Sequence, residues 1–253
     1  MTPHDHIHSF AHRAQNYYPG GSLSPTRRNL PEKISHRGAH QTLPENSVPA
    51  FLRAVELGAD AIELDVHATR DGALVVHHDA EVNAPGALRQ QIARLTLAEL
   101  GAYKLQDEVE IPPLPAVLSA VGAATFVYVE IKASNIEPLV TRCIRESDAR
   151  CAIHSFDHRI VKNVKTIFPA LRAGVLEVSR HIDPTLSLTA TGAEDLWQDV
   201  SFIDEELVAR VHSVNGRVIA WTANDANQWE PLSRIGVDGI CTDRIAELGP
   251  LTW

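Results

Sequence analysis

Glu63 and Asp65 stand two residues apart in Ala61-Ile62-Glu63-Leu64-Asp65-Val66, a run whose other members read as a buried strand. Alternation along a strand puts both carboxylates on one face, which is how a strand offers a pair of oxygen ligands to a hard cation. Three more short runs place polar groups at the ends of apolar segments: Ile34-Ser35-His36-Arg37-Gly38, Val75-Val76-His77-His78-Asp79 and Glu130-Ile131-Lys132. Such groups cost desolvation that packing alone does not offset. Glu63, Asp65 and Glu130 form an oxygen-only ligand set, which favours Mg²⁺ or Ca²⁺ over zinc. His36 and His78 are candidates for proton transfer, and Arg37 with Lys132 for holding a phosphate. The same residues could instead pair as a buried ion network without a metal. Glu130 at a second strand end, again two residues from a lysine, argues against a purely structural network of that size.

Adjacent histidines on a strand point to opposite faces, so one of His77 and His78 is structural. The Asp71-Gly72 pair between two β-prone runs signals a hairpin. A two-residue turn there sets Asp65 opposite His78 and leaves His77 facing outward. Ser155 lacks the surroundings of a nucleophile elbow and reads as a packing or hydroxyl-binding residue. Trp221 reads equally as core or as an apolar wall against a small substrate.

The elements that must position these groups alternate from residue 33 onward. Strand candidates are residues 34–36, 61–66, 74–78, 126–131, 152–156, 173–176, 217–222 and 239–242. Helical periodicity fits 47–57, capped by Ser47 and stopped by Gly58, and also 136–147, 158–168, 205–214 and 227–235. This predicts an α/β fold, an irregular TIM (β/α)8 barrel whose active site gathers at the carboxyl ends of the strands. The step from Val66 to Leu74 is too short for a helical crossover, so the barrel is irregular there. Residues 80–113, with a helical piece at 90–105, read as a small insertion after the third strand. The expected layout is an N-terminal arm at 1–32 and one barrel domain at 33–253.

At 253 residues and 44% apolar, the chain suffices for one large core. A formal charge of −9 without a basic stripe argues against nucleic acid as a partner. Three cysteines, Cys143, Cys151 and Cys241, give no disulfide framework and fit a reducing compartment. The first twelve residues lack the apolar core of a secretory signal, and no run approaches the ~20 apolar residues that span a bilayer. A cytoplasmic protein with no membrane attachment is the expectation. His4, His6, His8 and His12 could chelate a metal weakly, although a loosely docked arm is the simpler reading.

Taken in order, the motifs resemble those of the glycerophosphodiester phosphodiesterase family. They are His36-Arg37-Gly38, Pro44-Glu45-Asn46-Ser47, Glu63-Leu64-Asp65-Val66, Thr69-Arg70-Asp71-Gly72, Val75-Val76-His77-His78-Asp79, Glu130-Ile131-Lys132, Ser155-Phe156, Trp221-Thr222-Ala223-Asn224 and the run from Gly236 to Asp243. The resemblance implies a TIM-type barrel, a divalent cation at Glu63, Asp65 and Glu130, and a catalytic pair made of His36 and His78. It further implies that Glu45 helps at the metal or orients a histidine, and that Arg37 and Lys132 meet the phosphate. The implied partner is a small-molecule phosphodiester, hydrolysed to an alcohol and a phosphomonoester through a cyclic phosphate. The sequence departs from the family pattern after Asp79 and again at Pro113-Leu114-Pro115. Both departures border the substrate, so a sugar-phosphodiester stands beside glycerophosphodiesters as a candidate. Two rivals are a phospholipase-D-like enzyme acting on lysolipids or sphingomyelin, and a barrel that binds phosphodiesters without turning them over.

Overall fold

A computed structural model of the chain describes residues 30–83 and 89–249. The proposed arm up to residue 29, part of the insertion (84–88) and the last four residues lie outside the described residues. The strands are β1 (Glu32–Ser35), β2 (Ala61–Ala68), β3 (Leu74–Val76), β4 (Glu81–Val82), β5 (Gln90–Gln91), β6 (Phe126–Ile131), β7 (Arg150–Ser155), β8 (Ala173–Glu177), β9 (Asp195–Asp199), β10 (Arg217–Trp221) and β11 (Gly239–Thr242). The helices are α1 (Val48–Glu56), α2 (Leu97–Leu100), α3 (Leu114–Val121), α4 (Glu137–Glu146), α5 (His158–Ile167), α6 (Leu186–Thr191), α7 (Glu205–Ser213) and α8 (Ala226–Ile235). Eight strands, β1, β2 and β6 through β11, pair in parallel in that order, and β11 returns to β1 to close a TIM-type barrel.

The closed ring differs from the expected one at two places. The run at 74–78, read as a stave, is β3, which lies outside the ring and pairs antiparallel with the far half of β2. The missing stave is β9, whose sequence Asp-Leu-Trp-Gln-Asp has only two apolar residues. Asp195 and Gln198 are nonetheless buried, so polar contacts replace the apolar alternation that marks a strand. The hairpin between β2 and β3 also departs from expectation. Arg70, Asp71 and Gly72 form a three-residue loop, with Gly72 left-handed at φ +81° and Thr69 N donating to Ala73 O. The register slips by one residue: Val66 pairs with Val76, and His77 N donates to Asp65 O, so His77 rather than His78 lies opposite Asp65.

The insertion breaks the expected 90–105 helix into β5, one 3₁₀ turn and the four-residue α2. Thr96 and Glu99 form a capping box that starts α2 late, and Gly101 ends it. Val75, Val82, Ile92, Leu100 and Ile111 give this region its own apolar cluster. Pro112 and Pro113 then run along the outer edge of β3, where Pro112 O accepts from Val76 N.

Alternation along the staves sorts the core into two shells. Outward residues such as Leu64, Val129 and Ile153 pack under the helices, while Ile34, Ala61, Tyr128, Trp197, Ile219 and Cys241 fill the barrel interior. At the amino-terminal floor, Glu32 accepts from Tyr128 Oη (2.7 Å) and Arg217 (2.9 Å), and Asp195 from Arg172 (2.6 Å). Burial pushes the Asp195 carboxyl up to about 6 against the pull of Arg172. The three cysteines are free thiols. Among the described residues no helix is long and apolar enough to cross a membrane.

Trp197 fits because β8 offers a glycine beside it. A Cβ on Gly174 would sit 2.7 Å from Trp197 Cδ1 and 2.8 Å from its Nε1. Gly174→Ala is therefore expected to destabilise the barrel by about 1–3 kcal/mol through overpacking, read from the midpoint of a urea unfolding curve.

Candidate active site

The loop after β1 is shaped by one close approach. Gly38, at φ +84°, lies where a Cβ would come within 2.8 Å of the Ala50 backbone, so the loop can fold down onto the start of α1 only with glycine there. The Pro44-Glu45-Asn46-Ser47 motif then divides its work. Ser47 Oγ caps α1 through Ala50 N, and Asn46 Nδ2 donates to Asp65 Oδ2 at 2.9 Å while its Oδ1 accepts from Asp65 N. Glu45 meets Arg37, whose Nη1 donates to both carboxylate oxygens at 3.2 Å. Arg37 Nε lies 3.2 Å from Asp65 Oδ2.

The neighbouring staves bring the acids together. Asp65 is in register with Glu130 on β6, and Glu130 with His154 on β7. Glu63, Asp65 and His154 are only 2%, 1% and 1% exposed. Ligand atoms of Glu63, Glu130 and His154 all lie within 4.8 Å of one another. Asp65 is more heavily engaged: Lys132 Nζ spans Asp65 Oδ1 (3.3 Å) and Glu130 Oε1 (3.0 Å). Burial works against the Asp65 charge, but Lys132 and Arg37 overcome it and hold its pKa below the usual range. Glu130 moves the other way, raised by burial and then by the repulsion of Asp65. Burial likewise opposes the charge on Lys132, and Asp65 and Glu130 more than compensate.

The two predicted histidines approach the same strand. His36 Nε2 lies 3.8 Å from Glu63 Oε2, and His36 Nδ1 hydrogen-bonds Asp243 Oδ1 at 2.6 Å. Burial pulls the His36 pKa down, yet the Asp243 bond and the Glu63 charge raise it overall. Asp243 is held far below the usual carboxylate range; burial opposes this, and bonds from His36 and His40 prevail. Asn224 Nδ2 also donates to Asp243. His78 sits in the loop after β3, half-exposed, with Nδ1 2.8 Å from Asp79 Oδ1 and close enough to Asp65 to help hold it ionised. His67 Nε2 bonds the His78 carbonyl at 3.1 Å and so ties that loop to β2. His77 bonds the Asp79 carbonyl. Trp221, at the end of β10, packs edge-on against Phe156 with ring centres 5.3 Å apart.

His154, His40 and His67 were absent from the sequence-derived set, and Asp243 stood at a strand end there without a role. The alternation in Ala152-Ile153-His154 carries a weak signal for an inward imidazole, but its neighbour Glu130 comes from strand pairing. Asp243 closes a recognisable motif, yet its contact with His36 spans 207 residues.

With this geometry in view, the sequence profile of the glycerophosphoryl diester phosphodiesterase family matches residues 36–247. The chain belongs to that family. It is 34% identical over 226 residues to a glycerophosphodiester phosphodiesterase of Caldanaerobacter subterraneus subsp. tengcongensis, covering 83% of this chain and 93% of the relative. Among solved structures, a phosphodiesterase from Oleispira antarctica in complex with the product sn-glycerol-3-phosphate superposes with TM-score 0.79 at 22% identity, covering 87% of this chain and 95% of that one. The Thermotoga maritima glycerophosphodiester phosphodiesterase gives TM-score 0.76 at 23% identity, covering 88% and 99%. A glycerophosphoryl diester phosphodiesterase is a phosphoric diester hydrolase, and that is the enzyme class of this chain.

The His36–Asp243 contact generates a test of sign. Asp243 stabilises the imidazolium form, so Asp243→Asn removes the leading contribution that raises the His36 pKa and leaves burial less opposed. His36 is expected to titrate at lower pH in the variant than in the parent, followed by imidazole chemical shifts of the metal-free protein.

Proposed function

We propose that this hydrolase acts on a small, water-soluble glycerophosphodiester or a related sugar-phosphodiester, releasing an alcohol and a phosphomonoester. The observation that carries the reading is convergence: His36 approaches Glu63, Arg37 and Lys132 meet Asp65 on the same strand, and His78 lies near enough to bear on the Asp65 charge. Glycerophosphodiester cleavage is also the activity named for the 34% identical relative.

The residues present fit a divalent cation. Glu63 Oε1 is buried without a hydrogen-bond partner, and three carboxylates share one barrel mouth. Glu63, Asp65 and Glu130 would hold the ion, and as an all-oxygen set they suit Mg²⁺ or Ca²⁺. When bound, it supplies positive charge against the phosphoryl oxygens. Arg37 and Lys132 orient the phosphate. His78, the more exposed imidazole, takes the proton from a substrate hydroxyl beside the phosphate. That hydroxyl oxygen attacks phosphorus, and His36, kept toward its protonated form by Asp243, delivers a proton to the departing alcohol. Water then opens the cyclic phosphate with the two histidines in exchanged roles. Trp221 and Phe156 line the mouth for the alcohol.

A panel of glycerophosphodiesters and sugar-phosphodiesters, with phosphomonoester release as readout, tests the activity. His36→Ala and His78→Ala should each lower kcat by roughly 10² to 10⁴ with an unchanged circular dichroism spectrum. Near-parental turnover in either removes that histidine from the mechanism. Excess chelator should abolish hydrolysis and added divalent cation should restore it. Full activity in chelator counts against the carboxylate site. A substrate with its neighbouring hydroxyl methylated should be inert, and brisk cleavage of it would indicate direct attack by water.

A further inference from the structure

We propose that His154 adds a nitrogen ligand to the cation site, so that the site prefers a borderline divalent ion such as Mn²⁺, Co²⁺ or Zn²⁺ over Mg²⁺ and Ca²⁺. It rests on the reading above that a divalent cation binds beside Glu63 and Glu130, and replaces the Mg²⁺ or Ca²⁺ preference of the carboxylates alone.

His154 Nε2 faces Glu63 Oε1 at 3.4 Å, longer than the ordinary hydrogen bond of about 2.9–3.0 Å. It is close to the separation of two ligands each about 2.1 Å from a tetrahedrally coordinated ion. Glu63 Oε1 accepts no hydrogen bond although it is fully buried, so its lone pairs are unspent on the side that faces the imidazole. Glu130 completes the trio within 4.8 Å, from the strand between the other two.

His154, at 1% exposure, has no hydrogen-bond partner at Nδ1, so no hydrogen bond fixes the ring from that side. The ring is positioned by stacking instead. It lies flat on Trp197, with centres 4.2 Å apart and planes 5° from parallel, and meets Tyr128 edge-on at 6.4 Å. This sandwich fixes the plane of the imidazole and directs Nε2 toward the carboxylates. The two remaining acids do not compete equally for the ion. Asp65 Oδ1 and Glu63 Oε1 are both buried without a hydrogen bond, but Asp65 also neutralises Arg37 and Lys132, whereas Glu63 Oε1 faces His154. Imidazole nitrogen binds Mn²⁺, Co²⁺ and Zn²⁺ better than it binds Mg²⁺ or Ca²⁺, which take oxygen.

The test uses the full chain, stripped of metal and titrated calorimetrically with MnCl₂, CoCl₂ and MgCl₂. Parent, His154→Gln and Glu63→Gln are compared. Histidines of the N-terminal arm contribute equally to all three and cancel in the differences. The parent is expected to favour Mn²⁺ and Co²⁺ over Mg²⁺ by roughly 10-fold or more. His154→Gln should lose that preference while retaining Mg²⁺, with a changed visible absorption spectrum of the bound Co²⁺. Unchanged preference and spectrum in His154→Gln, with binding lost in Glu63→Gln, overturn the nitrogen ligand and leave the carboxylate site standing. If neither variant alters binding, the cation site itself falls and the proposal with it. Should His154→Gln fail to fold, pulsed electron paramagnetic resonance of one equivalent of Mn²⁺ on the parent decides. Nitrogen coupling that disappears in Glu63→Gln supports the proposal, and its absence in the parent overturns it.

Discussion

Three carboxylates on two adjacent staves cannot share one nearly dry mouth without positive charge among them, and much of the upper barrel serves that requirement. Arg37 meets Asp65 Oδ2 and Lys132 its Oδ1. Asn46 gives Asp65 neutral hydrogen bonds as well. Burial and then the repulsion of Asp65 fall on Glu130, which is why its proton is held more tightly while that of Asp65 is released more readily. The loop after β1, the cap of α1 and the strand ends are thus parts of one electrostatic balance. A phosphodiester and a cation would enter that balance as partners of opposite sign.

The barrel interior separates this charged tier from a second one. Trp197, Tyr128, Ile34 and Ile219 occupy the middle, and beneath them Glu32, Asp195, Arg172 and Arg217 form the floor. Tyr128 belongs to both levels, since its ring packs against Trp197 and its hydroxyl donates to Glu32. An apolar waist of this kind keeps two ionic networks from exchanging partners. It also gives His154 a rigid aromatic bed directly under the acids.

The parts legible in the sequence are those where local pattern and burial agree. Glu63-Leu64-Asp65 within an apolar strand, Ser47 before an amphipathic helix and Glu130 at the end of Phe126–Ile131 all lie where they were read. Local pattern failed where tertiary contacts override it. β9 hides because its inward Asp195 is balanced by Arg172, just before β8, and Arg217 on β10. α3 was obscured by Pro113 and Pro115, although proline is tolerated in the first turn because its missing N–H would have had no helical partner there. The hairpin register turned on a single left-handed glycine, and a shift of one residue placed the His77 backbone, not that of His78, opposite Asp65. The link from His36 to Asp243 exists only because the ring closes between β11 and β1.

That ring has no open edge, but β3, lying outside it, reintroduces one. The segment laid along this edge is Pro112-Pro113, which offers carbonyls and carries no amide hydrogen. It satisfies Val76 and then cannot template a further strand, so hydrogen-bonded growth of the sheet stops at the prolines. The enzyme thereby carries the β2–β3 hairpin, and the half-exposed His78 that follows it, beyond the closed cylinder without presenting a sticky ladder to other chains.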